Sequence, residues 1–567
     1  MNKFTALLTS SLLASQAFAA TQEEIDAAAQ AADVLSGQEQ QRLSVQEEQL
    51  EGDKRPSGLD LTKEQFLLSG LKDADGSCIA LERIELRGAV VMDEWDLEVF
   101  EAQFLGKCID PALANSVLSA ATDYYLTRGF ITTRAYLPNQ DLKDGVMDVV
   151  IAEGVVEDIE VKSDKPMSIS TVFAEDVDRG LNIRDLEQAV DQLNAVPGND
   201  VKMAVKPGEM AQASTVVFEN KGSPEFKGRL STDNSGSEST GERGASLSIQ
   251  RGNLLGLNEV WSASARQSLG SAEKQSHSYS ANVKIPHGYN TYSLGATKGG
   301  FNTILTFPVT GTELTSEGAN RSTYASATRV LFRDQNSKHS VSLKLQRDSV
   351  ESYLADTKID VNTRSLNALT LSGESVLGFG DRVLVVTPEI SMGLSEVDNL
   401  PQGVNTPLEN PQAEYLRYKL SLDWSQPFVV NETNMRWKSR FVGQYADVPL
   451  YGSQQIIVGG ASSVRGSHDV SIVGDRGYFL QNTVSAFAEY PFGGDTLGVE
   501  YFGGYDFGQV WSERPDVYEG NMGAYVLGAN FSIAPWSLSL SHSLPGHVSG
   551  DLEKGDAFTT ATLSLDF

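Results

Sequence analysis

The chain ends in Leu563-Ser-Leu-Asp-Phe567 and carries Leu538-Ser-Leu-Ser-His542 shortly before. Successive side chains of a strand point to opposite faces, so each run puts leucines on one side and small polar groups on the other. Leucines turned to lipid and serines turned to water make the pattern of a transmembrane β-barrel. A last strand finishing on phenylalanine is what an outer-membrane barrel is expected to have. Working back, Val341-Ser-Leu-Lys-Leu345, Tyr279-Ser-Ala-Asn-Val283 and Trp261-Ser-Ala-Ser-Ala265 repeat the alternation. Segments of this texture begin near 226, 243, 258, 276, 290, 321, 338, 359, 382, 412, 433, 477, 497, 522, 535 and 556. They are split by Gly, Asn, Asp and Pro clusters. The spacing predicts sixteen strands over 223–567, an even count as hairpin closure requires. A soluble sandwich or propeller fits less well, because no blade repeat and few long apolar inner faces are present.

Composition agrees. Of 567 residues, 51 are Gly and 19 Pro, as expected for many tight turns. No run of about 18 apolar residues occurs, which excludes a membrane-spanning helix but not a barrel. The net charge of -30 makes global binding to nucleic acid unfavourable, because an acidic chain repels phosphate backbones.

Ahead of the strands lie two kinds of segment. Met1–Ala19 has a basic start at Lys3, an apolar centre and an Ala17-Phe18-Ala19 cleavage pattern, and is expected to be a signal peptide. Residues 20–58 are polar. Within them Glu23–Leu35 has helical spacing, with Lys54-Arg55-Pro56-Ser57-Gly58 as a linker. This segment is either a solvated tail or a helix that inserts into something wide and polar. Cys78 and Cys108 are the two cysteines, and an even count in an exported chain predicts one disulfide. It would stabilise by roughly 3–4 kcal/mol on the chain-entropy model. Two sulfurs with every histidine at 277 or later do not form a metal site.

Residues 59–154 and 155–222 read as tandem α+β units. In the first, Ile79–Leu86, Ile131–Leu137 and Val146–Ala152 read as strands around a helix begun by Asp110-Pro111 and ended by Gly129. In the second, a helix over Ile183–Leu193 lies between strands Val155–Val161, Val201–Val205 and Ser214–Glu219.

Several motifs in order resemble the haemolysin secretion/activation family of two-partner secretion transporters (TpsB; ShlB/FhaC/HecB type). Arg128-Gly-Phe-Ile-Thr-Thr-Arg-Ala-Tyr-Leu-Pro138 and Val149-Val-Ile-Ala-Glu-Gly-Val-Val-Glu-Asp-Ile159 are similar to the end of that family's first POTRA domain. Leu186–Asn194 with Lys206-Pro-Gly-Glu209 resembles its second. Asp233-Asn-Ser-Gly236, Thr240-Gly241 and Asn253-Leu-Leu-Gly-Leu-Asn258 resemble its first barrel strands. Gly459-Gly-Ala-Ser-Ser-Val-Arg-Gly466, followed by Gly474-Asp-Arg-Gly477, resembles the extracellular loop that folds back into the barrel.

The resemblance implies two periplasmic POTRA domains, a 16-stranded barrel in the outer membrane of a Gram-negative bacterium, and an N-terminal helix able to plug the lumen. It implies partners: outer-membrane lipid and a secreted exoprotein, a TpsA-type haemolysin or adhesin. It implies no nucleotide, metal or cofactor and no enzymatic activity, and nucleic acid is not an expected partner. The unfolded cargo would add as a strand to a POTRA sheet edge, with Val201, Met203 and Val205, or Thr215 and Val217, as the candidate edges. The family's designation adds activation to secretion. A related factor that inserts barrels into the outer membrane is the alternative. At the loop tip, Val464, Arg465 and Gly466 stand out, because an arginine inside a barrel is costly unless paired. The family pattern supplies Asp506, in Gly503-Gly-Tyr-Asp-Phe-Gly508, as its partner on the barrel wall. Two positions depart from the pattern: Ser467 and Gly504 stand where aromatics are expected. Ser467-His468-Asp469 are chain neighbours and cannot line up as a catalytic triad.

Overall fold

The alternating segments close on themselves. The computed structural model describes residues 35, 37, 38, 79–173, 180–222, 226–306, 311–359, 363–394, 411–466, 470–512, 519–549 and 554–567. The last strand, Phe558–Asp566, pairs antiparallel with the first, Phe226–Asp233, completing a closed barrel of sixteen strands. Closure is reinforced at the final residues. Phe567 and Gly228 exchange backbone hydrogen bonds of 2.9 and 2.7 Å, and Arg229 Nε donates to Asp566 Oδ1 at 2.6 Å. Closing the sheet leaves no unpaired barrel edge, the condition for spanning lipid with strands.

The register puts Leu230, Leu247, Leu563 and Leu565 on the outer face. Ser231, Ser246, Ser264 and Ser564 face the lumen. The outer leucines Leu230, Leu247 and Leu563 are exposed while Ser246, Ser264 and Ser564 are buried, the inverse of a soluble core. Strands reach 21 residues in Glu313–Arg333, well beyond the 9–11 that lipid requires. That strand begins ahead of the expected start near 321, because Ser316–Asn320 continue the ladder beyond the alternating run. Among the described residues, no helix is long and apolar enough to cross a membrane.

The first α+β unit is a three-stranded sheet in the order Arg83–Arg87, Val146–Ala152, Arg134–Tyr136, packed on helices Glu94–Ala102 and Pro111–Thr127. The second helix starts where expected: Asp110 accepts from Leu113 N at 2.6 Å and Pro111 needs no partner for an N–H. Tyr125, Val117, Met147 and Val149 form a core with no exposed surface. The first strand is shorter than expected, because Ala80 and Leu81 bond instead to the segment around Cys108. Helix Glu94–Ala102 was not foreseen, its outer face carrying the exposed Trp95 and Val99. Cys108 is disulfide-bonded; its expected partner, Cys78, lies outside the described residues.

The second unit orders its strands Val155–Lys162, Ala213–Asn220, Val201–Pro207, with helix Ile183–Asn194 across one face. Ile183, Leu186, Leu193, Val216 and Phe218 make its core. The strand carrying Thr215 and Val217 pairs on both sides, parallel to Val155–Lys162 and antiparallel to Val201–Pro207. It is central, so those two residues are not on an edge, and that candidate is corrected. The hydrophobic run that made it conspicuous is itself the mark of a strand buried between neighbours. Val201, Met203 and Val205 do lie on an edge strand.

Candidate functional site in the barrel lumen

Between strands Thr433–Ala446 and Arg476–Phe492 the chain makes a long excursion from the barrel end opposite the α+β units. It folds inward as a hairpin, Ile456–Val458 pairing with Ile472–Gly474. At the turn, Gly459 and Gly460 have φ of 126° and 82°, values that bulkier residues resist. Ser463 Oγ locks this turn by accepting from Gly459 N at 2.8 Å and donating to Gly459 O at 2.9 Å.

The hairpin is held to the inner wall by apolar contact. Ile456, Val458, Val464 and Ile472 cluster with wall residues Val442, Phe479, Val510, Met522 and Ala524. Val464 has no exposed surface. Gly466 sits so close to Ala524 that any Cβ there would fall 2.1 Å from the alanine's own.

Arg465 reaches the wall at strand Asp495–Trp511. Its backbone N donates to Asp506 Oδ2 at 3.0 Å, Nε to Oδ2 at 2.7 Å, and Nη2 to Oδ1 at 2.7 Å. This fork contact joins a fully buried carboxylate to an arginine whose side chain is 24% exposed. Nη2 also donates to Thr483 Oγ1 at 2.9 Å on the adjacent strand. Gly504 shares the inner face with Asp506, and a Cβ there would lie 2.9 Å from Arg465 Nη2 and 2.3 Å from Asn482 O. In this chain the space beside Gly504 is taken by Asn482 O and the guanidinium. Ser467 lies outside the described residues, as do His468 and Asp469.

Two groups that the sequence reading did not single out hold the loop's base. Asp475, fully buried, accepts from Leu450 N at 2.7 Å, Gln455 Nε2 at 3.0 Å and Ser512 Oγ at 3.2 Å. Gln454 accepts from Tyr415 Oη at 3.0 Å and Arg417 Nη1 at 2.9 Å, and donates to Asp348 Oδ2 at 3.3 Å. Asp475 stood within a quoted motif; Gln454 carries no sequence signal, since its partners come from distant strands.

The expected N-terminal helix over Glu23–Leu35 lies outside the described residues except Leu35, which is helical, as are Gly37 and Gln38. These residues touch the hairpin: a Cβ on Gly37 would be 2.7 Å from Ile457 Cδ1, and Gln38 Nε2 donates to Ser471 Oγ at 3.0 Å. A segment far upstream therefore meets the loop inside the barrel.

Residues 212–531 match the family model of the haemolysin secretion/activation proteins ShlB/FhaC/HecB. The chain belongs to this family. Residues 79–154 match its ShlB-type POTRA domain and 155–207 a further POTRA domain. The outer membrane transporter CdiB of Dickeya dadantii is 28% identical over 447 residues, 78% of each chain. The haemolysin transporter ShlB of Serratia marcescens is 24% identical, over 72% of each. The solved structure of CdiB from Escherichia coli shares the fold with a TM-score of 0.83 at 23% identity, covering 95% of this chain and 99% of that one. Members of the family are two-partner secretion transporters of the outer membrane, and the chain's two POTRA domains lie on the periplasmic side.

Proposed function

We propose that this transporter takes an unfolded, β-rich exoprotein from the periplasm onto the outer edge of strand Val201–Pro207. It then passes the chain through the barrel, past a loop whose tip is set by the Arg465–Asp506 pair. The observation that carries capture is that Val201–Pro207 pairs with Ala213–Asn220 on one side alone among the described residues. Val201 N and O are taken by the Asn194 side chain, so the main-chain groups this edge offers to an extended segment are those at Met203 and Val205. Lys202 and Lys206 are exposed along it, the usual guard against edge-to-edge association of folded copies. Relatives named as haemolysin transporters in Serratia marcescens and Proteus mirabilis support a haemolysin-like cargo. On this reading the protein acts by binding and gating rather than by a covalent step.

Val201 is 2% exposed, and Met203 and Val205 pack against the same core, so probes belong on the alternate residues. Photo-crosslinkers at Lys202, Ala204 and Lys206 are expected to trap cargo in actively secreting cells. A control probe at Glu160 tests the sheet's other edge, Val155–Lys162. Adducts at Glu160 alone would move capture to that edge, and none at either would refute strand addition to this domain.

A further inference from the structure

The second POTRA domain is fastened to the barrel rim by a buried ionic clamp, outside both the capture edge and the loop. Arg333, at the end of strand Glu313–Arg333, has a side chain only 1% exposed. Its Nη1 donates to Gln188 Oε1 at 2.9 Å and to Asp191 Oδ2 at 3.0 Å, and its Nη2 lies 3.7 Å from Glu187 Oε2. All three partners sit on helix Ile183–Asn194 of the POTRA domain. Glu187, 2% exposed, also receives two bonds of 2.9 Å from Arg184 Nη1, and Lys338 Nζ donates to Asp191 Oδ2 at 3.3 Å. Beside them Tyr289 Oη donates to Asp185 Oδ1 at 2.5 Å and Gln192 Nε2 to Asn290 O at 3.4 Å.

Burying charge at a domain junction is costly, and hydrophobic side chains of similar volume generally do at least as well for stability. What an ionic cluster adds is orientation: a planar guanidinium bonded to Gln188 and Asp191 and ion-paired with Glu187 on one helix favours one relative pose. The pose has two consequences at the C-terminal end of that helix. Its last turn, with Asp191, Gln192 and Asn194, lines the same cavity as Ser262, Asn282 and Lys284 of the barrel's inner wall. Asn194 also clips the helix to the capture edge, Nδ2 donating to Val201 O at 3.0 Å and Oδ1 accepting from Val201 N at 2.6 Å.

We infer that Arg333 is a positioning residue for transport: acting through helix Ile183–Asn194 and the Asn194–Val201 joint, it holds the open sheet edge at the lumen mouth so that captured cargo enters the pore. This inference rests on the reading that Val201–Pro207 receives the cargo. Without the clamp the domain still folds and binds, but the edge no longer faces the entrance in one orientation.

The test uses the full-length protein and reads pose and transport separately. Spin labels at 204 and at 432, a turn of the periplasmic rim, are expected to give one narrow distance distribution in the wild type. Arg333→Gln should broaden it, while the barrel stays heat-modifiable. In secreting cells the same variant should keep cargo adducts at position 204 but lose those at position 262 in the lumen, with secretion down about tenfold or more. Arg333→Lys, keeping charge without the fork, should fall between. A bis-maleimide bridge between Gln192→Cys and Asn290→Cys, placed where the helix side chain already reaches the rim, should restore both the narrow distribution and secretion to Arg333→Gln. An unchanged distance distribution, wild-type secretion by Arg333→Gln, or a restored pose without restored secretion would each overturn the inference. If the pose broadens and secretion falls but the wild type gives no adducts at 202, 204 or 206, then the capture reading has failed and the positioning role stands.

Discussion

Removing the Arg465 side chain should free the loop tip without unfolding the barrel. Asp506 has no exposed surface and receives three bonds from Arg465, of which truncation to alanine would leave one, from the backbone N. Deleting one partner of a buried pair typically costs about 3–5 kcal/mol, because the survivor is left charged and poorly solvated. The 24% exposure of Arg465 shows that lumen water reaches the pair, so the lower end, about 3 kcal/mol, is appropriate. At about 1.4 kcal/mol per decade, the docked tip would lose roughly a hundredfold in its favour. The barrel's closure and wall register do not depend on this contact. Arg465→Ala is therefore expected to abolish secretion while leaving heat-modifiable barrel in the outer membrane. Arg465→Lys should also be poor, since an ammonium cannot engage both carboxylate oxygens and Thr483 together. Exchanging the charges, Arg465→Asp with Asp506→Arg, should restore part of the activity if attraction is what counts. The assay is cargo in the culture supernatant normalised to folded barrel in outer-membrane fractions. Secretion at the wild-type level by Arg465→Ala would refute the gating role even with the fold intact.

Three further outcomes are expected. Gly504→Ala, whose Cβ would press on Asn482 O and Arg465 Nη2, should lower secretion; wild-type secretion would show the space to be incidental. Deleting residues 21–58 removes Gly37 and Gln38 from the hairpin and should raise single-channel conductance in planar bilayers with secretion largely kept; unchanged conductance would reduce the segment to a solvated tail. Thiol labelling of purified, unfolded, non-reduced protein should find no reactive cysteine, and labelling of both Cys78 and Cys108 would sink the predicted disulfide.

The barrel was legible because its signal is local: each strand carries its own alternation, and every expected start falls within a few residues of an observed one except at Glu313 and Arg364. Those two flank long hairpins that extend past the lipid band, where nothing forces leucine outward and the alternation fades. The Arg465–Asp506 contact was legible for a different reason, through resemblance, since residues 41 apart carry no mutual signal of their own. The error over Thr215 and Val217 is instructive. Ser214-Thr-Val-Val-Phe-Glu219 holds a continuous apolar run rather than an alternating one, which is the texture of a central strand, and the alternating Val201, Met203 and Val205 mark the edge. The Arg333 clamp was invisible: Gln188 and Asp191 look like the polar face of an ordinary amphipathic helix until the barrel rim is placed against them.

The loop is fastened at three levels, and their chemistry separates what can move from what cannot. Its base, around Asp475 and Gln454, is tied by bonds to several strands, so release there requires many groups to be resolvated together. The middle, Ile456–Val458 with Ile472, lies on apolar wall and gains about 1.5–3 kcal/mol for each such side chain fully buried, without directionality. Such a surface can slide or re-pack at small cost. At the tip, a single fork on one carboxylate is strong only in one geometry and is open to water on the arginine side. A chain threading the lumen brings its own backbone donors and acceptors within reach of that pair. It can compete for Arg465 or Asp506 without disturbing the base. On the gating role proposed above, the tip is where passage and closure would be exchanged, with Asp475 tethering the displaced loop.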